Sequence, residues 1–165
     1  MKTKLSYDND VADASASGGA VGGHLMLGGT VAKGFVIGAA MGGITVVEPK
    51  FEQDGYQGTA ENTTLNLSHL GLLLDWFPDE HGGFHVGGSL GIYTMKVEAD
   101  NGPSSDAAGG GGGQLFVGYD FWVGDDWSLG GLLALTHANT ELDAKGFKET
   151  GSTNALMLQF SVLYH

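Results

Sequence analysis

Apolar and polar residues alternate with a period of two through most of the chain, and no stretch repeats its apolar positions at helical spacing. This alternation predicts β-strands with one large apolar face and one face of small or polar residues. The predicted strands are 20–31, 34–47, 63–77, 83–97, 113–123, 127–139 and 154–164, with a shorter candidate at 2–8. We therefore predict an all-β fold of eight antiparallel strands in a single domain over residues 1–165.

One predicted strand, 63–77, changes phase along its length. Its second half places Leu70 and Leu72 on one face, whereas Leu65 and Leu67 in its first half have the opposite parity. A β-bulge inserts one residue and exchanges the two faces. We therefore predict a bulge near Ser68.

The connections between the predicted strands alternate in length. The long ones are 9–18, 48–62, 98–112 and 140–153, and the short ones are 32–33, 78–82 and 124–126. The glycine run 109–113 is interpreted as the flexible end of a long loop. Short turns at one end and long loops at the other are typical of an up-and-down transmembrane barrel. The strands are long enough for this, because about 9–11 residues cross a bilayer when tilted.

Charge supports the same interpretation. The chain has 19 acidic residues, 7 Lys and no Arg, and all the acidic residues except Asp75 and Asp120 lie in connections. A soluble sheet would carry charge on its water-facing side. Without a basic patch, nucleic-acid binding is excluded as a function. The absence of Cys excludes disulfides and thiolate metal sites, and we expect no metal and no cofactor.

Aromatic residues gather near the short turns and the C-terminus. The predicted aromatic girdle comprises Phe35, Trp76, Phe77, Phe84, Phe121, Trp127 and Tyr164. Such belts lie at the headgroup level of membrane barrels. The competing interpretation is that these are ordinary core aromatics at hairpin ends.

The inward face of an eight-stranded barrel encloses a lumen that side chains fill, so an open pore is not expected. The predicted large plugs are Met26, Tyr93, Phe116 and Trp122. Asp75, His85 and Asp120 share the inward face near the short turns and form a predicted lumenal polar cluster. A buried carboxylate needs a partner, and His85 is the one at hand. The cluster is either a proton-linked or catalytic group or a structural plug, and we favour the plug.

Several segments resemble the small eight-stranded outer-membrane β-barrel proteins of Gram-negative bacteria, of the OmpX and OmpA membrane-domain type. They are Leu70-Gly71, Asp75-Trp76-Phe77-Pro78, Gly82-Gly83-Phe84-His85, Gly118-Tyr119-Asp120-Phe121-Trp122-Val123 and Trp127-Ser128-Leu129-Gly130. Among these barrels, the segments resemble most closely a group of proteins to which no reaction has been assigned. This resemblance implies location in the bacterial outer membrane and contact with outer-membrane lipid, but no activity.

The two ends of the chain carry further expectations. The final strand, with Leu158, Phe160 and Tyr164 on one face, resembles the signal read by the outer-membrane assembly machinery, although His165 follows the aromatic residue. Residues 1–4 lack the apolar region of an export signal. We therefore interpret the chain as a mature or trimmed form whose first strand lacks its beginning.

The function expected from these features is a structural or interaction role, with acidic surface loops that contact an unidentified partner. The first alternative is a lipid A or phospholipid-modifying barrel enzyme, for which Ser68, His69 and Ser89 are the available groups. The second is a soluble, lipocalin-like barrel that binds a small apolar ligand. Solubility distinguishes the second alternative from a membrane barrel, because a membrane barrel requires detergent and a soluble barrel does not.

Overall fold

The computed structural model describes residues 1–7, 14–79, 82–99, 107–125, 127–144 and 147–164. All regular structure in these ranges is β-strand, arranged as one antiparallel sheet. The strands are β1 (Lys2–Tyr7), β2 (Ala14–Ser17), β3 (Ala20–Ala32), β4 (Phe35–Val47), β5 (Lys50–Gln53), β6 (Tyr56–Thr59), β7 (Thr63–Trp76), β8 (Phe84–Ala99), β9 (Ala108–Trp122), β10 (Trp127–Ala144) and β11 (Phe147–Tyr164). The predicted all-β class is confirmed.

The long strands β3, β4, β7, β8, β9, β10 and β11 lie side by side in that order, each antiparallel to the next. β1 then pairs with the first part of β11, and β2, β5 and β6 follow outward from it. The sheet is not closed, because β3 lies at one end of this order and β6 at the other.

The strand count differs from the predicted eight. The described residues form eleven strands, because β2, β5 and β6 occupy parts of the predicted long connections. β5 and β6 form a hairpin whose turn at Asp54 and Gly55 has positive φ angles of 51° and 79°, a conformation that glycine adopts readily. The predicted long connections also contain residues 8–13, 100–106 and 145–146, which lie outside the described residues.

The glycine run 109–113 is part of β9, and its interpretation as a loop end is wrong. Its residues pair on one side with β8 and on the other with β10. A Cβ atom at Gly112 would lie 2.5 Å from the carbonyl oxygen of His137. Bare backbone therefore allows the close approach of neighbouring strands here.

The two faces of the long strands other than β3 differ as the alternation predicts: the inward face is largely buried and the outward face is exposed. Along β3, inward residues such as Gly28 and Thr30 are exposed as well. The bulge predicted near Ser68 is wrong, because the register of β7 with β4 and β8 is continuous there. Leu65 and Leu67 point inward and are buried. The phase therefore does not change; apolar side chains line the lumen at the end away from the short turns.

The core is the lumen of this curved sheet. Tyr93 and Phe116 are buried within it as predicted, and Met26 is partly buried against it. Trp122 is 42% exposed, so its prediction as a plug is wrong. It is the last residue of β9, where the strand leaves the filled part of the lumen.

Candidate functional site in the lumen

The structure brings Asp75, His85 and Asp120 together at the short-turn end of the lumen. Asp75 lies near the end of β7, His85 is the second residue of β8, and Asp120 lies near the end of β9. Nδ1 of His85 is 2.9 Å from Oδ2 of Asp75, and Nε2 is 3.1 Å from Oδ2 of Asp120. The first contact is a hydrogen bond, whereas the second is at ion-pair distance without hydrogen-bond alignment.

The three residues are almost completely withdrawn from solvent, with His85 at 2% exposure. The ring of Phe77 stacks on the His85 ring at 4.8 Å with an interplanar angle of 3°, and Phe116 meets it edge-on at 5.9 Å. Phe77 is half-buried and is directed to this cluster, so its assignment to the outer aromatic girdle is wrong.

Glycines make room for the cluster. A Cβ atom on Gly118 would collide with Nε2 of His85, and one on Gly130 would collide with Oδ1 of Asp120. One on Gly87 would lie 2.8 Å from Oδ1 of Asp75. The sequence therefore places residues without side chains opposite each member of the cluster, as close packing requires.

The contacts of the cluster determine what it can do chemically. One carboxylate lies at each ring nitrogen of His85, so neither nitrogen is open to a substrate. Ser161 Oγ donates to Oδ1 of Asp120 at 2.7 Å. Because both nitrogens and one ring face of His85 are occupied, the arrangement serves as a structural plug better than as a general base.

A second polar cluster lies nearer the middle of the strands and was not predicted. His24 on β3 contacts Gln114 on β9 and Gln159 on β11 through its two ring nitrogens, with Gln114 Nε2 3.2 Å from His24 Nε2. Gln114 also donates to Thr136 Oγ1 at 3.1 Å. The His69 ring lies 4.7 Å from His24 and stacks on Tyr93 at 5.1 Å. All these residues share inward parity, which is the signal that could have identified the cluster.

We expect Gln114→Leu to destabilise the protein by about 1–3 kcal/mol, because it leaves the buried Thr136 and the half-buried His24 without their amide partner. Urea unfolding followed by tryptophan fluorescence measures this change. Gln57→Leu on β6 is the matched control, since Gln57 is exposed, and it should alter stability by less than about 0.5 kcal/mol. Equal effects of the two substitutions would show that the second cluster does not support the fold.

The remaining aromatic side chains of the predicted girdle point outward near the short turns. Phe35, Trp76, Phe84, Phe121 and Trp127 are between 40% and 66% exposed. Phe35 stacks on Trp76 at 6.0 Å across β4 and β7. The side chain of Tyr164 lies outside the described residues.

The groups considered for a lipid-modifying enzyme do not converge. Ser68 is exposed on the outer face, whereas the adjacent His69 is buried on the inner face. A nucleophile and its base must lie within hydrogen-bond reach, so these neighbours cannot act as a pair. No group of three or more His, Asp or Glu among the described residues is arranged to hold a metal ion.

No family model matches the chain, and no curated protein matches it. None of the described residues forms a helix long and apolar enough to cross a membrane.

Proposed function

We propose that the protein is a β-barrel of the bacterial outer membrane with a side-chain-filled lumen and acidic surface loops, acting in a structural or interaction role. The eight strands of this barrel are the seven long strands together with β1. Its outward face contacts outer-membrane lipid, and its C-terminal strand is recognised by the outer-membrane assembly machinery.

The observation that carries the proposal is the inverted distribution of side chains. Large apolar side chains on the outward face are exposed, with Leu158 at 85% and Leu72 and Leu90 at 75%. The buried inward face holds polar groups, among them Gln114, Thr136 and Ser128. A water-soluble protein rarely exposes an apolar surface of this extent, whereas a lipid-facing barrel requires one.

The aromatic side chains support the same orientation. Phe35, Trp76 and Phe84 lie outward at the short-turn end of three consecutive long strands. Aromatic rings prefer the boundary between hydrocarbon and headgroups. These positions support an orientation in which this end of the sheet lies at one membrane interface.

The lumen supports a structural or interaction role rather than conduction. Tyr93, Phe116 and the two polar clusters occupy it, as expected for a barrel of this size. The same filling disfavours a lipocalin-like ligand cavity. Recognition would then fall to the end of the sheet away from the short turns, where acidic residues lie both in connections and in the ends of strands, as at Glu61, Glu98 and Glu141.

Leu133→Arg tests the proposal. Leu133 lies in the middle of β10, points outward and is 49% exposed. A cation at the bilayer midplane of a barrel destabilises it by about 2–4 kcal/mol. Glu141→Arg on the same strand is the matched control, because Glu141 is exposed near the long-loop end, and it should be nearly silent.

Both variants are measured by urea titration of the protein folded into lipid vesicles. A large loss for Leu133→Arg and none for Glu141→Arg supports a lipid-facing surface at Leu133. Equal stabilities would mean that Leu133 faces water, and the membrane assignment would then be wrong.

A further inference from the structure

Three of the seven lysines of this acidic chain lie on one outward surface at the end of the sheet away from the short turns. They are Lys2 and Lys4 on β1 and Lys50 on β5. Thr3, which alternates with the two β1 lysines, is buried in the lumen, so these lysines point outward. Ser17 faces Lys2 on one side and Lys50 on the other, so all three lysines share this face.

Two of these lysines belong to a continuous row of four residues across β1, β2, β5 and β6. The row consists of Lys2, Ser17, Lys50 and Thr59, and a groove of about 410 Å³ lies over it. We call this the lysine groove. Adjacent strands are about 4.8 Å apart, so the backbones of Lys2 and Lys50 are separated by about 10 Å. Their flexible four-carbon stems allow both ammonium groups to reach one anion placed over Ser17.

The positive charge of the groove is not neutralised within the described part of the chain. Lys96 on β8 pairs with Glu98 at 2.8 Å, whereas no described carboxylate lies within ion-pair distance of Lys2 or Lys50. Among the described residues that line the groove, Glu52 is the acidic one, and it is exposed. Two cations and two hydroxyl donors in the row therefore outweigh one carboxylate.

The groove begins where the apolar outward surface ends. Leu135 and Leu156 form an outward pair on β10 and β11 and are 53% and 67% exposed. The next outward pair toward the long-loop end is His137 and Asn154, whose side chains contact each other at 2.9 Å. Asn154 in turn faces Lys2. The row of lysines thus lies one step beyond the apolar side chains, as a lipid headgroup lies one step beyond its acyl chains.

We propose that the lysine groove binds the phosphate group of a lipid whose acyl chains lie against the adjacent apolar surface. A lysine ammonium binds phosphate as a compact point charge, and the hydroxyls of Ser17 and Thr59 donate to the remaining oxygens. The lipid as the source of the phosphate rests on the proposed function, because it requires acyl chains at the outward face. The attraction of the groove for phosphate does not depend on it.

A titration of the folded protein in neutral detergent micelles tests the proposal. The probe is dihexanoyl phosphatidic acid, and binding is followed by the NMR shifts of the amides in 15–17, 50–52 and 57–59. The variant with Lys2→Gln and Lys50→Gln should bind about 25-fold more weakly, because each lysine close to anionic lipid contributes about fivefold. The variant with Lys33→Gln and Lys96→Gln is the matched control, since it removes the same charge outside the groove, and it should change the affinity by less than about twofold.

Glu52→Gln should have the opposite sign. It removes the carboxylate that lines the groove, so phosphatidic acid should bind about two- to fivefold more tightly. The amide spectrum away from the groove, in 113–122, shows whether each variant is folded. The proposal is overturned if the Lys2/Lys50 variant binds as tightly as the Lys33/Lys96 control, or if Glu52→Gln weakens binding.

Two further probes identify the source of the phosphate. Inorganic phosphate should shift the same amides but bind at least about tenfold more weakly than phosphatidic acid, because it has no acyl chains to bury. Dihexanoyl phosphatidylcholine, whose headgroup has no net charge, should not distinguish the lysine variant from the original chain. Equal affinities for inorganic phosphate and phosphatidic acid would overturn the assignment to a lipid. None of these results repeats the test at Leu133, so an error in the groove and an error in the membrane assignment are distinguished.

Discussion

Gly118→Leu should prevent the protein from reaching its folded state. Gly118 lies on β9 between His85 of β8 and Leu132 of β10, its direct neighbours in the two ladders. An added Cβ would lie 2.8 Å from Cδ2 of His85 and would overlap Nε2 of His85 and Cδ2 of Leu132. Overpacking alone costs about 1–3 kcal/mol, and displacing His85 removes the partner of two buried carboxylates, which costs about 3–5 kcal/mol more.

Gly131→Leu is the matched control. Gly131 belongs to the next strand, its side-chain position points outward, and the nearest atom to an added Cβ is the Gln159 oxygen at 3.5 Å, an ordinary contact. The control should fold, and both variants are compared by refolding yield into detergent and by urea unfolding. A Gly118→Leu variant as stable as Gly131→Leu would show that the lumen has free space beside His85.

His85→Ala should destabilise the protein by about 3–5 kcal/mol, because it leaves Asp75 and Asp120 buried without the ring that contacts both of them. Both carboxylates are at most 6% exposed, so in the folded protein the ring takes the place of solvent beside them. The loss is measured by urea unfolding at neutral pH. His137→Ala is the control, since His137 is exposed and bonds only to polar side chains at the surface, and it should cost less than about 1 kcal/mol.

A neutral version of the cluster separates charge pairing from packing. The variant with His85→Gln, Asp75→Asn and Asp120→Asn keeps hydrogen-bonding groups at all three positions and removes every charge. It should recover at least about half of the stability that His85→Ala loses, because the unpaired charges are gone. If it is no more stable than His85→Ala, the ring of His85 matters through its packing against Phe77 and not through its charge.

Most of the sheet could be predicted from the sequence because alternation is a local property. In the halves of β4 and β8 nearer the short turns the apolar residues keep a two-residue period, and the two faces there follow directly from it. The neighbourhood of Asp75 and His85 was also predictable, since both flank one short turn and therefore lie on adjacent strands. Local parity together with a short turn is enough to place two side chains close together.

The rest depends on contacts between residues far apart in the chain. Leu65 and Leu67 suggested a bulge because an apolar residue was expected to point outward; the structure shows an apolar end to the lumen instead. The cluster around His24 joins residues 90 and 135 positions apart, so parity assigns its members to the inward face but does not show which of them meet. Phe77 lies one residue beyond β7, where strand parity no longer determines which way a side chain points.

The central claim is that the outward face lies in lipid, and spin-label accessibility along one strand tests it most directly. The absence of Cys allows single Cys substitutions at successive positions 132–136 of β10, each labelled in lipid vesicles. The account predicts that labels at 133 and 135 are accessible to oxygen dissolved in the hydrocarbon and protected from a water-soluble relaxing agent, whereas labels at 132, 134 and 136 are shielded from the hydrocarbon. Outward labels that respond to the water-soluble agent would contradict it.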